Sequence, residues 1–147
     1  TMPAIANGVV YISSGQIGNS GESLLAAFDA AGITNCSPTF GQTCTPLWTV
    51  EHRLDDLWAS WSPAVANGVV YVTYQAIDYF SGYAGIQAFD ATGTTNCSGT
   101  PKTCSPLWSD IVAPPIAGGL AEVSSPVVAN GAVYLNAGAI YKYALPS

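Results

Sequence analysis

The clearest chemistry in this 147-residue chain belongs to its four cysteines, which fall as two local pairs, Cys36 with Cys44 and Cys97 with Cys104. Four thiols allow three pairings. Each local pair recurs in the same setting, Thr34-Asn35-Cys36-Ser37 against Thr95-Asn96-Cys97-Ser98, so each loop is expected to carry its own disulfide. Zinc is the rival use of thiols. Its ligands are usually closely spaced and joined by histidines, whereas these cysteines lie eight and seven residues apart and the only histidine is His52. Paired cysteines fit an oxidising compartment, so a secreted or cell-surface protein is expected. No signal peptide is recognisable, which implies a mature chain or a fragment. Asn35-Cys36-Ser37 and Asn96-Cys97-Ser98 also match the glycosylation sequon, but Asn and Ser at these places are better read as turn residues.

One cluster of ionisable groups stands out, Glu51-His52-Arg53-Leu54-Asp55-Asp56. A histidine beside carboxylates can act as a general base, yet a lone histidine in a polar link is more often solvated. Asp29 and Asp90 could be paired catalytic carboxylates, but each ends an apolar run before a glycine, where Asp accepts turn N–H groups. No nucleophile elbow, phosphate loop or metal-ligand trio is present. No catalytic or metal residue is therefore assigned. The aromatics Trp58, Trp61, Tyr79, Phe80 and Tyr83 are the candidate binding residues, since rings with a polar edge stack on sugars and protein partners. Trp58 and Trp61 fall in a link between apolar runs, and Tyr74, Tyr79, Phe80 and Tyr83 are expected in an enlarged loop. Burial between packed sheets is the competing role for all of them.

These residues ride on a repeat. Pro3-Ala-Ile-Ala-Asn-Gly-Val-Val-Tyr11 returns at Pro63–Tyr71 and, slightly altered, at Pro126–Tyr134, offsets of 60 and 63 residues. Ala27-Phe28-Asp29-Ala30 returns at Ala88–Ala91, and Cys44-Thr-Pro-Leu-Trp48 at Cys104–Trp108. The third copy keeps the first block and stops after Ile140–Tyr143, without the Asp or the Trp. Asn-Gly between apolar runs is a hairpin signal, because both residues tolerate the positive φ of a type I′ turn. Strands are expected at 63–66, 69–74, 85–90 and from about 107, with no helix. The fold class is all-β, in units of up to four antiparallel strands: 3–50, 63–110 and a partial unit at 125–145.

Repeated four-stranded units with aromatic and glycine punctuation suggest the blades of a β-propeller. The residues Ala27, Asp29, Gly32 and Trp48, and then Ala88, Asp90, Thr92, Gly93 and Trp108, resemble the tryptophan-docking motif of the PQQ-like (quinoprotein-type) propeller repeats. The resemblance implies two full blades plus a partial third, an incomplete propeller, with these residues docking neighbouring blades. The Asp-to-Gly spacing is one residue short, and the Gly-to-Trp gap is 16 and 15 residues because the cysteine loop is inserted. Quinoprotein dehydrogenases share the repeat and use PQQ with calcium. Their site needs adjacent cysteines and a closed ring, and no two cysteines are adjacent here. PQQ and calcium are expected only if the chain is a fragment of such an enzyme.

Composition bounds the rest. Apolar residues are 49% and charged residues 8%, which excludes intrinsic disorder. The net charge is −6, with only Arg53, Lys102 and Lys142 as cations, too few to neutralise a nucleic-acid backbone. Gly, Pro, Asn and Ser interrupt the apolar stretches, so no membrane span is expected. An open array exposes a sheet face and a strand edge, so the expected partners are further blades of a longer chain or other copies of this one. The expected role is a non-catalytic scaffold or a module binding protein or ligand. A dehydrogenase fragment, a carbohydrate-binding module and a self-assembling subunit are the alternatives.

Overall fold

The computed structural model describes residues 1–17, 22–38, 41, 43–53, 57–77, 81–117 and 121–147. Among them there is no helix, and fourteen strands form three sheets, none closed on itself. The first sheet takes β1 (Ala4–Ala6), β2 (Val9–Ile17), β3 (Glu22–Asp29) and β4 (Trp48–Arg53) as an antiparallel meander. The second contains β5 (Leu57–Ser60), β6 (Ala64–Ala66), β7 (Val69–Ile77), β8 (Ser81–Asp90) and β11 (Trp108–Ala117), in which β5 and β6 both pair with β7. The third is β12 (Val127–Ala129), β13 (Ala132–Asn136) and β14 (Ile140–Ala144).

The repeat dictates the hairpins. Asn7-Gly8, Asn67-Gly68 and Asn130-Gly131 all sit at φ between 48° and 75°, the left-handed pair that a two-residue hairpin matching strand twist requires. Ala4–Ala6 then faces Val9–Tyr11, Ala64–Ala66 faces Val69–Tyr71, and Val127–Ala129 faces Ala132–Tyr134. After each third strand the chain is pinned back to this turn. Ala30 N donates to Gly8 O at 2.9 Å, Ala91 N to Gly68 O at 2.9 Å and Leu145 N to Gly131 O at 3.0 Å.

Side chains alternate across each pleat, and that alternation stacks the sheets. Val70, Val72 and Phe89 point to one side of the second sheet and are buried with Tyr11, Leu25, Ala27, Trp48 and Val50 of the first. Tyr71, Ile86 and Ala88 point to the other side and are buried with Val133 and Leu135 of the third. The second sheet is thus the middle of three layers and is covered on both faces.

Two features differ from the sequence expectation. The arms β7 and β8 reach Ile77 and start at Ser81, so the strand expected at 69–74 runs on past Tyr74, and Tyr83 is a strand residue and not part of an enlarged loop. Trp58 likewise lies on a strand, β5, opposite Ala76, where a link was expected. Trp58 and Tyr83 both stand opposite Ala76, so pairing with the long arm of β7 draws them into strands, the usual way in which tertiary context overrides local pattern.

Candidate functional site

The best-defined constellation is the seam where the first sheet meets the second. It starts from an Asp. Asp90 ends β8, and its carboxylate accepts Thr92 N at 2.9 Å, Thr92 Oγ1 at 2.8 Å, Thr94 N at 3.2 Å and Thr95 N at 2.6 Å. Partial burial opposes its ionisation, but the Thr95 and Thr92 hydrogen bonds outweigh it and hold Asp90 at about 2. Asp29 does the same after β3, accepting Ala31 N at 3.0 Å, Ile33 N at 3.2 Å and Thr34 N at 2.7 Å. The Thr34 N–H foremost, then Ala31, lowers it to about 2. Both carboxylates are fixed anions consumed by their own turns and are unsuited to proton transfer.

The Asp90 turn is the floor on which Trp48 rests. Trp48 is buried, its Nε1–H donates to Ala91 O at 3.3 Å, and Tyr11 Oη donates to the same carbonyl at 3.1 Å. Gly93 stands at φ 64°, and a Cβ there would collide with the indole ring. Only glycine serves both demands. The Tyr11 and Trp48 rings lie 6.1 Å apart at 50°. Burial raises the Tyr11 phenol above its ordinary value, and the Asp90 charge adds to this. Ala27 is fully buried in the same cluster, small enough for sheet and indole to approach, and Ala88 is its fully buried counterpart in the second seam.

The cysteines pair as expected, Cys36 with Cys44 and Cys97 with Cys104, each with Cα atoms 4.0 Å apart. Sequence reasoning missed what the second loop does. Its two short strands, β9 (Cys97–Ser98) and β10 (Thr103–Cys104), cross to the first sheet, where Thr103 pairs parallel with Thr49 and Thr49 N donates to Lys102 O at 3.0 Å. Cys104 is buried in the seam. The insertion that lengthens the Gly-to-Trp gap is thus a clasp over the open edge of β4. Asn35 and Asn96 sit at φ 59° and 58°, and their side-chain amides donate to Pro46 O at 3.4 Å and Pro106 O at 3.1 Å. These are turn roles.

The second seam is a reduced copy of the first. Trp108 is half-buried against Tyr143, 5.3 Å away at 31°, and against Tyr71, 6.1 Å away. Tyr143 Oη donates to Asp110 Oδ2 at 2.7 Å. Burial, then the Asp110 contact, pushes the Tyr143 phenol well up. Tyr71 corresponds to Tyr11, but the third sheet brings no Asp turn, and the Tyr71 hydroxyl is buried without a protein hydrogen-bond partner.

Of the candidate binding aromatics, Trp61 is half-buried and lines a concavity of about 630 Å³ with Gln75, Glu122, Ser124 and Asn136. Tyr83 stands edge-on to Tyr74 at 6.4 Å. Burial first, then Tyr83 and Asp110, push the Tyr74 phenol up to about 12. The structure brings Trp61 and Tyr83 to no common patch. Tyr79 and Phe80 lie outside the described residues, as do Asp55 and Asp56 of the ionisable cluster. Glu51, His52 and Arg53 lie on β4, opposite Leu24, Ser23 and Glu22. Among the described residues no group of three His, Cys, Asp or Glu side chains could hold a metal ion, and no helix is long and apolar enough to cross a membrane. No family model, curated protein or solved structure matches this chain.

Proposed function

We propose that the chain is a segment of a PQQ-like repeat β-propeller, working outside the cytoplasm as a non-catalytic scaffold that presents surfaces to protein or ligand. The observation that carries this reading is Trp48 seated on the Asp90–Gly93 turn of the next sheet, with its N–H on Ala91 O. A residue from one repeat completes the core of the following repeat, as in arrays whose stability is built from neighbour interfaces. The two disulfides fit an oxidising compartment, and both conspicuous carboxylates are tied up in turns. Small-angle scattering tests the reading: the profile should fit three layered sheets swept along an arc. A profile matching a closed sandwich of two sheets would defeat it.

A second reading, saccharide binding, has one observation in its favour, the Trp61 concavity with its amide, carboxylate and hydroxyl groups. Trp61→Ala should then abolish retention on a glycan array while the protein stays folded, its melting temperature lowered only by the lost packing of the ring on the core. Wild-type protein that binds no glycan ends this reading.

A further inference from the structure

We infer that the Trp61 concavity takes a sugar with a free amine, a glucosamine-type saccharide whose ring stacks on Trp61 and whose ammonium pairs with the Glu122 carboxylate. The inference rests on the saccharide reading of this concavity and names the class of sugar.

Three of the lining residues are ones the repeat does not call for. Trp61 stands where the other two copies have Thr1 and Ser124, Gln75 where they have Gly15 and Gly138, and Glu122 where the preceding copy has Ala59. The hairpins, the Asp turns and the seat of Trp48 form without any of them. Yet they meet, with Ser124 and Asn136, around one concavity of about 630 Å³, inside the range of about 300–1,000 Å³ usual for ligand sites. The indole is also packed against the buried cluster of the second seam. A ring held in this way is a rigid platform on which the apolar face of a sugar can stack.

The polar groups around it fall into two kinds. Gln75 Nε2 donates to Ala121 O at 2.6 Å, Ser124 Oγ accepts Asn136 N at 2.9 Å, and Asn136 Oδ1 accepts Gly138 N at 3.1 Å. These bonds hold the side chains in place. They leave the Gln75 side-chain oxygen as an acceptor and the Asn136 amide N–H groups as donors, a neutral set that suits sugar hydroxyls. Glu122 is different. Its carboxylate only accepts, carries a full charge and is exposed.

No cation of the chain answers that charge. Arg53 lies on β4 opposite Glu22, Lys102 sits in the clasp at Thr49, and Lys142 rests beside the Tyr134 ring. Among the described lining residues the only charge is therefore negative, in a chain of net charge −6. Such a cleft draws in a cation and repels an anion. A neutral sugar would use the indole and the amides and leave the carboxylate to water. An ammonium on the same sugar pairs with Glu122 and gains the attraction of the indole face.

The test is calorimetric titration of the 147-residue chain with a glucosamine tetramer and with its N-acetylated form, which keeps the rings and loses the charge. The glucosamine tetramer should bind about tenfold tighter, as an exposed ion pair plus a cation–π contact would give, and added salt should narrow the gap. Glu122→Gln should bring the two affinities together at an unchanged Tm, since the side chain is exposed. Trp61→Ala, checked as folded by circular dichroism, should lose both ligands. Equal wild-type affinities for the two tetramers would overturn the inference and leave the saccharide reading standing. Binding of neither tetramer would end the saccharide reading itself. A preference that survives Glu122→Gln would also overturn the inference, because the charge would then be read elsewhere. So would tetralysine binding as tightly as the glucosamine tetramer, since the sugar would then contribute nothing.

Discussion

Tyr11 and Tyr71 are the same residue in the same repeat position, and their hydroxyls have opposite fates. Tyr11 Oη reaches Ala91 O, whereas Tyr71 Oη is buried without a protein partner. Tyr11→Phe should therefore cost about 1 kcal/mol, and Tyr71→Phe should be neutral or slightly stabilising. Urea titration of both variants measures the contrast, and equal losses would contradict it. Trp48→Ala removes a fully buried ring and should cost about 3–5 kcal/mol, while Trp48→Phe keeps most of the apolar area and loses the N–H bond, costing less. Asp29 and Asp90 fix the acid limb. Both fold with carboxyls lowered from the usual range to about 2. The stability they contribute is complete above about pH 4 and is lost as pH falls from there to about 2. Asp90→Asn should flatten that limb in denaturation midpoints measured against pH. The turn role of the two Asp residues was legible in the sequence, because an Asp before glycine at a strand end has few other uses. The buried hydroxyls of Ser13 and Thr73 were not. They donate across the seams to the carbonyls of Trp61 and Ser124, partners some 50 residues away that no local pattern announces.

The two disulfide loops have the same sequence frame but different neighbours. Cys97–Cys104 closes a loop that pairs with β4, and Cys104 is buried in the seam. Cys36–Cys44 closes a loop whose cysteines remain partly accessible. Replacing the Cys97–Cys104 pair by serines should cost more than replacing the Cys36–Cys44 pair, since loop-closure entropy is nearly equal in loops of similar length. Thermal melts of the two double variants decide it, and equal losses would mean that the clasp adds nothing. The pairing itself was readable from the duplicated frame. The crossing of the second loop to the first sheet was not, because it is a contact between repeats and each repeat looks self-contained. The same limit applies to β5. Leu57–Ser60 has no alternating pattern to distinguish it and becomes a strand only because the long arm of β7 offers an edge.

Across the molecule the middle layer carries the load. The second sheet buries both faces, one against Tyr11 and Trp48, the other against Val133 and Leu135. Hydrogen exchange should therefore be slowest in β7 and β8 and faster in β1, β12 and β14, whose outer sides meet solvent. Uniform protection across the three sheets would refute this order. The all-β class and the hairpins were legible because the sequence states them two or three times. How the units sit against one another was legible only through Trp48 and its glycine. Closure into a ring is a property of the number of units, which no residue encodes. One consequence follows from the unlike sides of each layer. A side that gives an indole and a side that receives it are not self-complementary, so two such arrays cannot join by a two-fold axis through these faces. Any joining must be vectorial, the leading side of one meeting the trailing side of the next, which geometry resolves either as a closed cycle or as an endless thread.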